Sequence, residues 1–574
     1  MAGLRAPPDT FPRRCMDAPL RRPLALISEL QRRQVIRVAV VYVLAAWIMS
    51  QVAETMFPNL GLDDWTVTLV MALLLIGFPV AVALAWAFDI TPHGVERTPD
   101  TPPATVRDAA EPRPIRTIVA LPFANLSSNG DTQYISDGMT EELMAALARI
   151  PGLRVAARTS SFAFSNRDVD IREIGRQLGV DAAVEGSVRI VDTRVRIAVQ
   201  LTDVQDGYQI WSQTFDRSLG DILALQEDIA RSIVAVLRPG SAIAAGALVG
   251  PSTASDEAWT LYLQGRYFWN RRTPAGLRAA IERLRAATVS DPQFALAHAG
   301  LADCYSIMLD HGAADPRETL PLALAAARTA VALDDGLAEA HASLGLASQV
   351  ALDWTTAEAA FLRAVEIDAS CIVAHQRYAL LLAWRGRDED ALRSALRARE
   401  QDPLSLIVNT TIGWVHYYGR RPERAAAEHR AVLTLEPSFA SARFALGLAL
   451  LQLDRPAEAV HELETAAELS ERSSGTLAPL AVALRAAGQQ TAAENILAEL
   501  VARRAHTYVS PWFMGIAALA GAQPAAARDW LRRAAVERSP QLAYANVEPL
   551  LDEIRSDAAL RDIFGAVSRL DRMP

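Results

Sequence analysis

The chain has 574 residues, 51% hydrophobic and 21% charged, with a mean hydropathy of +0.12 and pI ≈ 5.6. That composition excludes a disordered chain and is long enough for several domains of about 150 residues each. The formal net charge of −9 argues against a nucleic-acid-binding protein. All 57 residues counted as Lys+Arg are arginine. Walker-type phosphate loops, protein kinases and Schiff-base enzymes each need a lysine at the chemistry and are excluded. Cys15, Cys304 and Cys371 stand far apart, implying neither a disulfide framework nor a thiolate zinc site.

In chain order, residues 1–34 read as a disordered Arg/Pro-rich tail within which Met16 is an alternative start. Residues 35–90 hold two apolar stretches. The first, 38–57, has one charge, Glu54; the second, 66–88, has none. A helix of that second length runs about 34 Å against a hydrocarbon core of about 30 Å, so a two-helix transmembrane hairpin is predicted. Arg21, Arg22, Arg32, Arg33 and Arg37 precede the pair and Arg97 and Arg107 follow it, while the short loop carries Asp63 and Asp64. Arginine in both outer flanks places both termini in the cytoplasm and the anchor in the inner membrane. Gly77, Ala81 and Ala85 form a small-residue stripe suited to packing within the hairpin, or to a homo-oligomer.

Residues 91–116 contain six prolines and read as an extended linker. From 117 to 238 the pattern is β-α-β-α-β-β-β-α: strands near 118–123, 153–157, 182–190, 195–202 and 208–215, and helices near 133–149, 169–178 and 221–237. The strings YISDGMTEELMAALARIPGLRVAARTSSFAF (134–164), IREIGRQLGVDAAVEGSVR (171–189) and YQIWSQTFDRSLGDILALQEDIARSI (208–233) resemble the TolB-like amino-terminal domain. That family occurs beside tetratricopeptide repeats in many bacterial proteins, and the preceding hairpin is similar to the membrane segment that often accompanies it. The resemblance implies no catalytic role. Asp137, Glu141, Glu142, Asp181 and Glu185 are candidate paired carboxylates, but Glu141 and Glu142 fit a helix's first turn better than glycosidase chemistry. Arg158-Thr159-Ser160-Ser161 could cup an anion or cap a turn.

Residues 239–254 read as a second linker, and 255–539 as about eight helical repeats. From Asp335 the repeat-end position recurs at Ala369, Pro403, Pro437, Glu471, Ala505 and Ser539, every 34 residues. Ala357, Ala391, Ala425, Ala459, Ala493 and Ala527 mark one small position in each second helix, and Pro422, Pro456 and Pro524 open that helix. A 34-residue helix-turn-helix unit is similar to the tetratricopeptide repeat (TPR), which builds a superhelical solenoid. Residues 540–574 are expected to cap its end, with each repeat contacting only its neighbours. Carried over by register, the concave groove of that family falls on Gln376, Trp384, Thr410, Trp414, Tyr417, Tyr418, Phe444, Gln452, Arg485 and Trp512. The family's clamp for a terminal carboxylate is missing, because its places hold Glu339, Ala342, Leu346, Val373 and Leu380. His298, His341 and His375 share one place in successive units, about 10 Å apart, too far for one metal ion.

The sequence therefore predicts a multidomain chain: a transmembrane hairpin, a small TolB-like α/β domain and an all-α TPR solenoid. It predicts a membrane-anchored scaffold that recruits a protein or peptide through an aromatic groove. No cofactor, metal, nucleic acid or bond chemistry is expected. The alternative is a signalling protein whose α/β domain senses a small ligand and reports through the repeats. Related chains carry a cyclase or a winged-helix domain at the N-terminus, and the roughly 34 residues before the first span are expected to be too few for either.

Overall fold

The computed structural model describes residues 42–47, 49–51, 65–91, 94–97, 115–127, 132–165, 169–192, 194–218, 222–238, 253–271, 273–521 and 524–569. The tail, most of the first predicted span, its loop, most of both linkers, Asp221 and Cys15 lie outside them. The chain divides into two units, Met1–Arg113 and Pro114–Pro574.

In the first unit, helix α1 (Trp65–Ala87) is a continuous run of 23 residues with Pro79 inside it. Residues 42–47 and 49–51 are also helical and meet α1 closely. The Tyr42 hydroxyl donates to Leu74 O at 2.9 Å, and its ring sits edge-on to Phe78. Gly77 makes room for it, since a Cβ there would collide with the Tyr42 hydroxyl. Among the described residues no helix is long and apolar enough to cross a membrane. Strands β1 (Phe88–Thr91) and β2 (Gly94–Arg97) then pair antiparallel, Phe88 opposite Arg97. An extended linker was predicted from 91 onward, so this strand pair corrects its first residues.

The second unit opens with a mixed sheet of six strands: β3 (Thr117–Ala120), β4 (Ala124–Asn125), β5 (Arg154–Val155), β6 (Ala182–Val191), β7 (Arg194–Asp203) and β8 (Gln209–Ser218). Their order is β5-β3-β6-β7-β8, with β4 beside β6. The β3 pairings to β5 and β6 are parallel, and β6-β7-β8 is an antiparallel meander. Alternation decides the faces. Ile118 and Ala120 pack with helices α2 (Gln133–Ala148) and α5 (Ile222–Leu237), while Val119 and Leu121 pack with Phe164 and Ile174 on the other side. Two short helices serve that second side, α3 (Arg158–Phe162) and α4 (Ile171–Leu178). Helix α4 is bounded by an Asp170 side-chain cap and by Gly179 at φ 64, the left-handed C-cap that glycine adopts without Cβ strain.

Eight helix pairs follow among the described residues: α6 (Asp256–Asn270) with α7 (Pro274–Ser290), α8 (Ala295–Asp310) with α9 (Pro316–Leu333), α10 (Ala338–Val350) with α11 (Trp354–Ile367), and α12 (Ile372–Trp384) with α13 (Asp388–Gln401). Then come α14 (Leu406–Tyr418) with α15 (Pro422–Leu435), α16 (Ala440–Gln452) with α17 (Pro456–Leu469), α18 (Ser474–Ala486) with α19 (Gln490–Arg504), and α20 (Pro511–Ala520) with α21 (Pro524–Val536). The crossings explain the repeat. Gly345 faces Phe361 and Gly447 faces Leu463 at the same offset, each leaving no room for a Cβ. The six periodic alanines, Ala357 through Ala527, are completely buried. The chain is thus a mostly helical TPR-type solenoid joined to a small mixed sheet.

Two departures from expectation matter for function. The solenoid and the α/β domain are not separate packing units: one continuous core runs from Ile118 and Leu147 through Trp259, Leu284 and Leu301 to Leu346. Gly138 of α2 lies directly against Leu263 of α6. The second departure concerns the C-terminus. After α21 the chain forms short 3-10 turns at Pro540–Tyr544 and Pro549–Leu551, then α22 (Asp552–Arg555) and α23 (Ala558–Arg569). Leu542, Leu551, Leu560 and Phe564 are buried in the solenoid's core, so this stretch is an internal element and not only an end cap.

Candidate partner-binding groove

The register placed most of the predicted groove residues in one neighbourhood, but it is filled. Tyr544 stands among three of the predicted rings, with centroids 5.4 Å from Trp384, 5.8 Å from Tyr418 and 5.5 Å from Trp512. Trp414 stacks on Tyr418 at 5.6 Å and lies 5.9 Å from Phe444. The Tyr417 hydroxyl donates to Glu548 Oε1 at 2.6 Å, and Gln452 Nε2 donates to Tyr417 O at 3.4 Å. Gln541 Nε2 donates to Leu309 O at 2.9 Å and Asp310 O at 2.8 Å, tying the segment to α8. Arg420 closes the far end through paired bonds to Asp552 at 2.6 and 2.7 Å.

The expected open aromatic surface is therefore corrected. Trp384, Thr410, Tyr417, Tyr418, Gln376 and Trp512 are buried, while Trp414 and Phe444 keep partial exposure. Thr410 returns its hydroxyl to Leu406 O, and Gln376 spends its amide on Thr411 in the next repeat. Arg485 lies outside the cluster, exposed, and donates to Leu519 O. Sequence reasoning missed Tyr544, Glu548 and Asp552, the residues that fill and lock the space. A signal was present: Leu542, Tyr544, Val547, Leu550 and Leu551 are too apolar for a solvated cap, and Pro540 and Pro549 interrupt helical periodicity.

Burial sets the electrostatics. It pushes the Tyr417, Tyr418 and Tyr544 hydroxyls well above their ordinary range, with Glu548 adding to each shift. It also raises the Glu548 carboxyl, against the lowering effect of the Tyr417 hydrogen bond. Trp384 lies beside Tyr418, and its side-chain hydrogen bond opposes the rise of that hydroxyl.

The α/β domain meets the solenoid at a second place. Asp402, buried at the end of α13, caps α3 from 242 positions away. Its Oδ1 accepts from Ser160 N at 3.0 Å, and its carboxylate also accepts from the Thr159 and Ser160 hydroxyls. Leu404 N donates to Ser160 Oγ at 2.9 Å. The anion held by the Arg158–Ser161 turn is thus the chain's own carboxylate.

The candidate carboxylates serve structure. Asp181 accepts from Arg116 N, Thr117 N and Thr117 Oγ1, all at 2.9 Å. Glu185 accepts from Gln200 and Thr202. Glu141 pairs with Arg158 and with Arg266 at 3.4 Å. Burial, with Glu141 beside it, pushes the Glu142 carboxyl up to about 8. The aligned histidines bond within their own repeats: His298 to Pro292 O, His341 to Asp335 O and His375 to Ala369 O, at 3.0–3.1 Å. Asn409 to Pro403 O and Arg443 to Pro437 O repeat the pattern. Among the described residues no group of His, Cys, Asp or Glu could hold a metal ion.

No family model matches the chain. A protein named "Putative adenylate cyclase 3" from Rhizobium meliloti (strain 1021) is 34% identical over 248 residues, 42% of this chain and 42% of that protein. Transcriptional regulator HilA of Salmonella typhimurium is 25% identical over 164 residues, 29% of this chain and 30% of HilA. The chain thus spans less than half the length of these curated relatives. Among solved structures, YrrB, a TPR protein with an unusual peptide-binding site, is 18% identical at TM-score 0.23, covering 34% of this chain and 95% of YrrB. PilW, a type IV pilus biogenesis factor, is 17% identical at TM-score 0.30, covering 36% and 95%. The Cut9-Hcn1 structure is 14% identical at TM-score 0.38, covering 60% and 59%. At these scores the likenesses add nothing to the repeat architecture, which rests on the helix pairs themselves.

Proposed function

We propose that this chain is a membrane-anchored interaction scaffold that recruits a protein or peptide partner through the solenoid groove and carries out no bond chemistry. One observation supports the reading: the groove already holds a segment of the chain itself, residues 540–552, folded in short 3-10 turns. It does so by ring packing, a buried hydrogen-bonded carboxylate and an ion pair. Those are the means by which aromatic-lined surfaces bind peptides with little side-chain entropy to lose. The anchor rests on the sequence alone, on the uncharged run 66–88 and on the arginine flanks. Those flanks put the soluble part on the cytoplasmic side of the inner membrane. The TolB-like reading of the α/β domain rests on the quoted sequence strings. The similarity to the cyclase-named protein is confined to 248 residues, and we propose neither cyclase activity nor DNA binding.

A second reading is favoured by the Asp402 contact. A ligand on the α/β domain that moved α3 would act directly on the α13–α14 corner, so the domain could report a signal through the repeats.

A photoreactive side chain placed at Trp414 or Phe444 of the full chain in its native membrane tests the scaffold reading. A cross-linked adduct with a second protein at either position is expected; adducts confined to this chain's own C-terminal segment would overturn it. Alkaline phosphatase fused after Ala110 should be inactive, and strong activity would place the soluble part across the membrane.

A further inference from the structure

The segment 540–552 presents its recognition groups at a fixed spacing: Tyr544, Glu548 and Asp552, four residues apart. Each meets a different part of the solenoid. Tyr544 enters the ring cluster of Trp384, Tyr418 and Trp512, Glu548 accepts from Tyr417, and Asp552 pairs with Arg420. The grip is uneven along its length. The Tyr417–Glu548 contact is buried. The Arg420–Asp552 pair is about half exposed, with side chains 43% and 51% accessible, so solvent screens it and it adds little to the grip. Tyr544 itself is only partly buried.

We propose that residues 540–552 are an exchangeable internal ligand. They hold the groove for a partner segment of the same chemistry: an aromatic residue followed by carboxylates at the fourth and eighth positions. The resident segment raises the concentration a partner must reach, because only the fraction of chains with an open groove can bind. This inference rests on the scaffold reading and names the partner's chemistry.

The test uses the full chain in detergent and a fluorescent peptide copying residues 539–554. The resident segment is weakened by Tyr544→Ala with Asp552→Asn, which leaves every groove-wall residue in place. The variant is expected to bind the peptide at least tenfold more tightly than the unaltered chain. A control peptide with Ala at the tyrosine and first glutamate positions should bind at least tenfold more weakly. A folded variant that takes up neither peptide, or both equally, overturns the proposal, as does a swapped dimer that takes up none. If the double variant fails to fold, Asp552→Asn alone is used, with hydrogen exchange on the unaltered chain. The amides of 540–551 must then exchange ahead of those in α14 and α16; exchange only together with them overturns the proposal. Because the probe is the chain's own sequence, its failure does not touch partner capture by cross-linking. Failed cross-linking with peptide uptake intact would sink the scaffold reading alone.

Discussion

The phenol of Tyr417 donates to the carboxylate of Glu548 at 2.6 Å across 131 positions of sequence, and both side chains are buried. This bond ties the fifth helix pair to the segment that leaves the eighth, and joins distant repeats that a linear array would keep apart.

The bond has a pH signature. Burial raises the Glu548 pKa, so the folded state favours the protonated carboxyl. Below the unfolded value, about 4.5, the contribution is fully present; it is lost as pH rises through the raised folded value. Glu548→Gln, which still accepts from Tyr417, should flatten this part of the profile. Urea midpoints read by tryptophan fluorescence should differ between chain and variant more at about pH 8 than at about pH 5. Parallel profiles would show that the carboxyl does not titrate in the accessible range.

Asp402 gives a second test. Asp402→Ala removes the acceptor for Ser160 N and for two hydroxyls, a loss of about 1–3 kcal/mol where the orphaned groups stay buried. Faster hydrogen exchange should appear at residues 158–164 and at 403–406, on both sides of the contact, while α18–α21 keep their protection. Exchange rising only in α13 would show that the contact holds no inter-domain energy.

The solenoid was legible because its physics is periodic. A helix crossing that admits only Gly or Ala recurs every 34 residues, so Gly345, Gly413, Gly447 and the alanines from Ala357 to Ala527 announce themselves in the sequence. The α/β domain was legible through the alternation of buried Val195, Ile197 and Val199 with exposed Arg194, Arg196 and Ala198. Tyr544 against Trp384 and Asp402 against Ser160 were not legible. Each is a single pairing between residues far apart, with no period to reveal it, and an aromatic residue on a first helix reads alike whether it faces water or its own chain.

One crossing departs from the rest. Gly413 faces the imidazole of His429, and a Cβ would collide with the ring. Gly413→Ala should cost about 1–3 kcal/mol through overpacking. His429→Ala should relieve part of that cost, so the double variant is more stable than the sum of the two single changes implies. Strict additivity in thermal melts would show that the ring is free to move aside.

The same histidine and its neighbour set an acid limit. Burial, with nearby arginines, holds His416 down to about 4, and burial with His416 holds His429 down to about 3. Both are neutral in the folded chain, so the stability they contribute is present above about pH 6.5 and lost as pH falls toward those values. His416→Gln should lessen the fall in melting temperature between about pH 6.5 and about pH 4.5. An unchanged fall would assign acid sensitivity elsewhere.

Trp414 and Phe444 decide between a bare surface and a filled one. On an open groove, replacing both by Ala would weaken partner binding and leave the helices intact. In this structure Trp414 packs on Tyr417, Tyr418, His429 and Phe444, within the core that includes Leu542 and Leu551. The double change should therefore lower stability by several kcal/mol, since truncating a packed Trp or Phe to Ala costs about 3–5 kcal/mol. Partial exposure of both rings places the value at the low end of that range for each. The loss should appear first as faster exchange at residues 540–552, ahead of any change in helical circular dichroism. A double variant with unaltered melting and unaltered exchange would show that the two rings hold no part of the closed groove.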